Sequence, residues 1–272
     1  MVIFALFERA IAIGVLRDPG DSTACFTPRR THSSTSVAQK VAEVAGDEAI
    51  PSIVASMRIE IFSDVICPWC FIGKRRFETA ISRLAARGIN IQVDYSFRPF
   101  QLDPGAPTNQ TTFAKDAYAK KFGGEQRAAE ILQHVTSVAA QDNIEFNMNI
   151  ALRANTFDAH RLLAFALNQY GSAVQILLKE RLMTAYFTNG QNIGDKEVLV
   201  VCATEVGINE TEARNFLTSE SLVDEVQTEI AQASEYGVTA VPTFVINGQW
   251  SVPGAQDVEM FERILERMHT NS

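Results

Sequence analysis

The sequence predicts a mixed α/β chain in which a strand–helix–strand unit and a strand–strand–helix unit are separated by a large all-helical insertion. Three observations carry this reading. A strand-like run, Met57–Ser63, leads into a helical pattern from Pro68 to about Ala86, and an alternating run, Ile91–Arg98, follows it. From about Thr111 to Tyr236 every periodic segment has helical spacing. Beyond Pro242 the pattern returns to strands on either side of Asn247-Gly248 and closes on one amphipathic helix.

Residues 1–56 are set outside the fold. Met1–Leu16 is apolar but broken by Glu8 and Arg9, too short for a membrane span and a poor signal-peptide core. Ser22–Ala42 has no acidic residue, eight Ser or Thr, and Arg29, Arg30 and Lys40, a transit-like composition that Glu8, Asp18 and Asp21 upstream oppose. The competing reading is an upstream extension, with Met57 as the true start. Either way this leader is expected to be largely disordered.

The folded part is then read in order. Ile59 and Ile61 give the first strand one apolar face. Cys70, Gly73, Phe77, Ile81 and Leu84 recur at helical spacing and form the face that packs on a sheet. Ile91, Val93, Tyr95 and Phe97 alternate with polar residues, so the second strand runs parallel to the first through a right-handed crossover. Pro99, Pro104, Gly105 and Pro107 end the unit. Helices are expected over Thr111–Phe122, Glu125–Gln141, Thr156–Tyr170, Ala173–Asn189, Asp195–Val206, Glu210–Leu217 and Ser221–Tyr236. Leu162, Phe165, Ala166 and Tyr170 make one core stripe, and Ile176, Leu177, Leu182 and Met183 contribute to another. So much helix exceeds a connection and marks an inserted domain, 109–236, between the halves 57–108 and 237–270 of the α/β domain. Pro242–Ile246 and Gln249–Val252 form a hairpin about Asn247-Gly248, and Val258, Phe261, Ile264, Leu265 and Met268 line the last helix.

Composition excludes several classes of function. The 272 residues are 46% hydrophobic and 21% charged, with net charge −8, so there is no basic footprint for nucleic acid or an anionic membrane. Four cysteines, at 25, 67, 70 and 202, are too few and scattered for a disulfide-stapled secreted scaffold and fit a reducing compartment.

The chemistry centres on Cys67-Pro68-Trp69-Cys70. A C-x-x-C is compatible with half a zinc site, a redox couple or chance. Zinc needs four ligands, and only one close pair is present. A strand feeding the first cysteine and a helix carrying the second is the context of a thioredoxin-like dithiol. Pro68 suits the first helical position, so Cys67 stands ahead of the first turn, facing unpaired N–H groups and the positive end of the helix dipole. Such cysteines ionise well below the free thiol, which makes Cys67 the expected thiolate nucleophile and Cys70 the resolving thiol. Glu60 and Asp64 are candidate proton acceptors nearby, although strand-end carboxylates are usually just solvated; Arg98 is read the same way. Cys202 lies in the apolar run Val198–Val201, where a buried, inert cysteine is the default. The second constellation is Gly237–Thr243: a Val241–Pro242 bond, expected cis, opens a strand and leaves the Val241 backbone free to pair with an extended substrate.

At these residues the chain resembles the DsbA-like thioredoxin family, in its FrnE-type branch, related to the 2-hydroxychromene-2-carboxylate isomerases and kappa-class glutathione transferases. The matching stretches are Ser63-Asp64 through Gly73, Arg98-Pro99-Phe100, Asn155-Thr156 through Arg161, Ala185–Thr188 with Asn192-Ile193, and Gly237–Phe244. The resemblance implies a thioredoxin fold with an all-helical insertion roofing a groove over Cys67, and Pro242 as the cis-proline facing the pair. Trp69, Val241, Pro242, Asn155 and His160 are then the expected substrate-binding residues; against that, a lone histidine at a helix start is usually a packing residue. The isomerases and kappa transferases usually carry serine at the position of Cys67, so two thiols favour disulfide exchange. The implied activity is that of a thiol–disulfide oxidoreductase, with a glutathione-dependent isomerase or transferase as the alternative. No bound cofactor or metal is expected; glutathione is the candidate thiol co-substrate. The expected partner is a disulfide- or thiol-containing substrate, with no nucleic acid and no membrane, for a monomer or homodimer. The expected location is cytoplasmic, or mitochondrial if residues 1–56 act as a transit peptide.

Overall fold

The computed structural model describes residues 56–108, 111–235 and 237–270. Apart from Ser56, the leader reading, with Cys25, falls outside the described residues. The chain runs β1 (Met57–Ser63), α1 (Pro68–Ala86), β2 (Val93–Pro99), β3 (Thr112–Phe113), α2 (Ala114–Phe122) and α3 (Glu125–Gln141). It continues with β4 (Leu152–Arg153), α4 (Phe157–Tyr170), α5 (Ser172–Phe187), α6 (Lys196–Glu205), α7 (Glu210–Thr218) and α8 (Val223–Glu235). It ends with β5 (Thr243–Ile246), β6 (Trp250–Pro253) and α9 (Val258–Thr270).

The main sheet has the order β2-β1-β5-β6. β1 and β2 are parallel, with Ile59 opposite Tyr95 and Ile61 opposite Phe97. β5 lies antiparallel to β1 on its other side and β6 antiparallel to β5. This is a thioredoxin fold, mixed α/β and rich in helix. Ile59, Ile61 and Phe244 point to one face and pack with Phe77 and Leu84 of α1 and Phe261, Ile264 and Leu265 of α9. Phe77 meets Phe244 and Phe261 at ring-centroid distances of 5.3 and 5.5 Å.

A second apolar core occupies the helical region, built from residues such as Leu162, Leu178, Leu182, Tyr186 and Phe187. Both cysteines of the C-x-x-C belong to it, together with Trp69, Phe71 and Ile72. Residues 67–72 therefore face the helices, while the later turns of α1 face the sheet.

Docking between the two regions is polar as well as apolar. Gln175 is fully buried and pairs with the free edge of β2: the Phe97 N–H donates to its Oε1 at 2.8 Å, and its Nε2 donates to the Phe97 carbonyl at 3.0 Å. A side-chain amide thus continues the ladder where another strand would add, which closes that edge. Lys74 of α1 reaches Glu180 of α5 at 2.6 Å, and Arg76 reaches Asp142, after α3, at 2.8 Å.

Three local expectations are corrected. The helix expected from Thr111 begins at Ala114, because Thr112 and Phe113 are extended and pair with Arg153 and Leu152. The Asn247-Gly248 turn has positive φ at both residues, 50° and 68°, and Gln249 N–H donates to the Ile246 carbonyl at 3.0 Å; Ile246 nevertheless pairs with Trp250, so three residues make the loop. Leu177, assigned to the core stripe of α5, is 56% exposed; that face is made by Gln175, Leu178, Lys179, Leu182 and Met183.

Candidate active site

Cys67 ends the loop from β1 and occupies the N-cap position of α1 with extended backbone, φ −88° and ψ 114°, ahead of Pro68. Proline lacks the N–H that the first turn leaves unpaired, so the helix starts there without loss. The Cys70 N–H donates to the Cys67 carbonyl at 3.0 Å, and this first-turn bond brings the side chains together. The two thiols share a hydrogen bond. All three described cysteines are free.

The Val241–Pro242 bond is cis, as the sequence predicts. Cys67 Sγ lies 3.7 Å from the Val241 carbonyl oxygen. Two bonds brace this segment: Thr243 Oγ1 donates to the Ala240 carbonyl at 2.7 Å, and Gly254 N–H to the Pro242 carbonyl at 2.7 Å. Gly73 allows the approach from the helix side, since a Cβ there would lie 3.0 Å from Pro242 Cγ and 3.3 Å from Ala255 Cβ.

Behind the cysteines lies a buried polar cluster. Asp64 Oδ2 accepts from Leu102 N–H at 2.7 Å, and its Oδ1 faces His160 Nε2 at 3.2 Å. Burial pushes the His160 imidazole below its ordinary range, against the pull of Asp64, so it is held neutral near neutral pH. Lys179 reaches in from α5, fully buried, with Nζ 3.4 Å from the Ser63 carbonyl. Burial lowers its pKa from 10.5 to about 8, although the neighbouring sulfurs and Asp64 favour its charge.

These groups decide which sulfur is the more acidic, and the expectation is reversed. Burial pushes the Cys67 thiol well up, reinforced by its hydrogen bond to and the charge of Cys70. Burial also opposes ionisation of Cys70, but the hydrogen bond from Cys67, the Lys179 charge and the Ser63 hydroxyl outweigh it and bring Cys70 down. The helix dipole is still present at Cys67, but the residue is only 2% exposed and the Lys179 charge bears on Cys70. Cys70 is therefore the more acidic member of the hydrogen-bonded pair.

Cys67 packs in the apolar core of the helical region. Tyr118 of α2 hydrogen-bonds Tyr186 of α5, and both Tyr118 and Lys121 lie close enough to Cys67 to feel its charge.

The other expected residues fall into separate places. Trp69 is buried within the helical core rather than presented to a groove. His160 is buried against Asp64 and is likewise not a groove residue. Asn155 is a structural clasp: its Oδ1 accepts from Phe157 N–H at 3.0 Å at the start of α4, and its Nδ2 donates to the Ala106 carbonyl at 3.0 Å. It also lines an open cavity of about 820 Å³ with Gln101, Asp158 and Lys196, which Cys67 does not line. Glu60 and Arg98 pair with each other at the side chain and do not join the cluster. Cys202 is buried in α6, where burial pushes its thiol up to about 11, that of an inert residue. Sequence reasoning missed Lys179, although a lysine in register with Gln175, Leu182 and Met183 on a core stripe was the available signal.

The DSBA-like thioredoxin domain model matches residues 58–266. The chain belongs to this family. It is similar to a probable DsbA oxidoreductase from Streptomyces coelicolor, with 30% identity and TM-score 0.70 over 78% of this chain and 89% of that one. It is 29% identical to the uncharacterized protein YwbO of Bacillus subtilis over 77% of this chain and 96% of the relative. The cytosolic disulfide reductase DsbM from Pseudomonas aeruginosa shares the fold at 15% identity and TM-score 0.55, covering 79% of this chain and all of that one. Among the described residues, no helix is long and apolar enough to cross a membrane.

Proposed function

We propose that the chain is a thiol–disulfide oxidoreductase working through Cys67 and Cys70. The observation that carries this reading is Cys67 Sγ at the start of α1, 3.7 Å from the Val241 carbonyl and hydrogen-bonded to a second thiol. In the forward direction the Cys67 thiolate attacks one sulfur of a substrate disulfide. A Cys67–substrate bond forms, and the first half of the substrate leaves as a thiolate. Cys70 then attacks the Cys67 sulfur; the intramolecular disulfide forms, the mixed disulfide breaks, and the second half leaves. Two protein thiols are oxidised and one substrate disulfide is reduced. Glutathione is the proposed thiol that returns the pair to its reduced form.

Burial of Cys67 adds a requirement. A disulfide reaches the sulfur only when the residues packed around Cys67 move aside, so the closed pair is protected between turnovers. Lowering of the Cys67 pKa on that opening follows from relief of desolvation, which is the largest influence raising it.

The test is reduction of a small aromatic disulfide by the full chain in the presence of glutathione. The wild-type chain accelerates the reaction, Cys67→Ser returns it to the uncatalysed rate, and Cys70→Ser accumulates a mixed disulfide visible as added mass. Wild-type activity in Cys67→Ser overturns the assignment.

A further inference from the structure

Arg76 of α1 joins parts of the molecule that are far apart in the sequence. Its side chain is 13% exposed, and its Nε donates at 2.8 Å to Oδ2 of Asp142, the residue that closes α3, itself 14% exposed. Its Nη1 donates to the Ala255 carbonyl at 3.3 Å, in the loop between β6 and α9, and reaches the exposed Asp257 carboxylate at 3.4 Å. That loop in turn holds the cis-proline. Gly254 N–H donates to the Pro242 carbonyl at 2.7 Å, and Ala255 Cβ and Pro242 Cγ crowd the same spot beside Gly73. Contacts therefore run without a gap from the helical region to the residue after Val241, whose carbonyl oxygen lies 3.7 Å from Cys67 Sγ. Docking of the helical region on α1 does not need this link. Arg75 holds the same end of α3 through the Asp142 and Asn143 carbonyls at 3.5 and 3.4 Å, and Lys74 holds Glu180 of α5 at 2.6 Å. What Arg76 adds is the branch to Ala255.

We propose that Arg76 is a positioning residue for the attack by Cys67: by joining Asp142 to Ala255, it lets the seating of the helical insertion set where the Val241 backbone stands against Cys67 Sγ. Arginine suits this task because its planar guanidinium presents donors in two directions at once, whereas lysine offers one compact charge. An extended polypeptide that pairs with the Val241 backbone presents its disulfide to Cys67 in one geometry. Misplacing such an edge by about 1 Å costs on the order of a hundredfold in rate. A small disulfide without peptide groups makes no such pair, so its reaction depends on the sulfur and much less on the edge. Arg76 touches neither the cysteines nor a substrate; it acts through Ala255, Gly254 and Pro242.

The inference rests on the oxidoreductase reading, and one experiment separates the two. The parent is the full chain carrying Cys70→Ser, in which attack by Cys67 stops at the mixed disulfide. It is mixed with dithiobis(nitrobenzoate), or with a short extended peptide whose single cysteine carries nitrothiobenzoate as a disulfide. In each case the Cys67 thiolate attacks, a bond from Cys67 to the probe sulfur forms, and the probe disulfide breaks. The electron pair leaves on the coloured nitrothiobenzoate thiolate, the better leaving group. Adding Arg76→Met is expected to lower the ratio of peptide to small-probe rates about tenfold, and Arg76→Lys likewise. Asp142→Ala is expected to give the same loss and, combined with Arg76→Met, no further one, because the two residues form one link. Arg83→Met, which removes the exposed pair of α1 with Glu259 at 3.0 Å, is expected to leave the ratio unchanged. A ratio within about twofold of the parent in Arg76→Met overturns the proposal, even if both rates fall together. A parent-like ratio in Arg76→Lys overturns it too, since a charge beside Asp142 would then suffice. Additive losses at Arg76 and Asp142, or an equal loss in Arg83→Met, overturn it as well. Should Arg76→Met fail to fold, Asp142→Ala decides: the lowered ratio supports the proposal and an unchanged ratio refutes it. Colour released from either probe no faster than by Cys67→Ser overturns the oxidoreductase reading itself.

Discussion

The two apolar cores of this molecule differ in what they enclose. The core beneath the sheet, around Phe77, Phe244 and Phe261, contains no titratable group among its buried members. The core of the helical region takes in Cys67 and Cys70 and adjoins buried Asp64, His160 and Lys179. The sheet and α9 give α1 its footing, and the helical region sets the dielectric and charge around its first turn. Reactivity of the pair is therefore a property of the insertion's packing at least as much as of the thioredoxin fold that presents it.

The largest expected effect tests that division directly. Phe77→Ala and Phe187→Ala each remove a buried ring, and each is expected to cost about 3–5 kcal/mol by chemical denaturation. Phe77 packs with Tyr95, Phe244 and Phe261, so its loss is expected to leave the cysteine reduction potential where it was. Phe187 stacks on Phe146 at 4.5 Å and touches Phe71, the neighbour of Cys70, and Tyr186, which bonds Tyr118. Its loss is expected to shift the potential and expose Cys67 to alkylation. Equal potentials in the two variants break the comparison.

Much of this division was legible in the sequence, and the limits have physical causes. Strand, helix and hairpin positions followed from periodicity, because period 2 and period 3.6 cannot be confused over runs as long as Pro68–Ala86. The pair and the cis Val241–Pro242 bond followed from local motif and context. The acidity of Cys67 did not, because a helix N-terminus is a local feature and burial in the core of the helical region is not. Asn155, His160 and Trp69 were placed near a groove by resemblance, yet each satisfies contacts within the protein. Lys179 was passed over because periodicity arguments discount a charged residue on an apolar stripe, when its presence there is the informative fact.

The second prediction sharpens the comparison by pH. Folded Lys179 loses its proton at about 8, while the ordinary value for an unfolded lysine is 10.5. Between these values the unfolded chain binds more protons, so this residue makes folding more favourable as pH rises through that window. Below it the residue is protonated in both states and its full penalty, on the order of 3 kcal/mol, is present. Lys179→Met is thus expected to be the more stable chain at about pH 7, with its advantage shrinking as pH climbs toward the unfolded-lysine value. The difference in midpoint between the two chains cancels contributions from the buried tyrosines and cysteines common to both. A difference independent of pH would mean that Lys179 keeps its proton equally in the folded and unfolded chains, and burial in the second core would then not depress its ionisation.

The smallest expected effect lies where the two regions meet. Gly73 is the point at which α1 closes on Pro242, and a methyl group there would press on Pro242 Cγ at 3.0 Å and Ala255 Cβ at 3.3 Å. Alanine favours the helix by about 1 kcal/mol over glycine, whereas overpacking a closed contact costs about 1–3 kcal/mol. Crowding wins, so Gly73→Ala is expected to lower stability by about 1–2 kcal/mol, read by denaturation. The displacement also carries Val241 away from Cys67, lengthening a sulfur–carbonyl contact that already stands at 3.7 Å. Slower formation of the mixed disulfide should accompany the loss of stability, while closure by Cys70 changes less, because it is Cys67 that reaches Val241. If both steps slow equally, the front and back of the dithiol are not independent, and the separate roles of the proline edge and the helical core fail together.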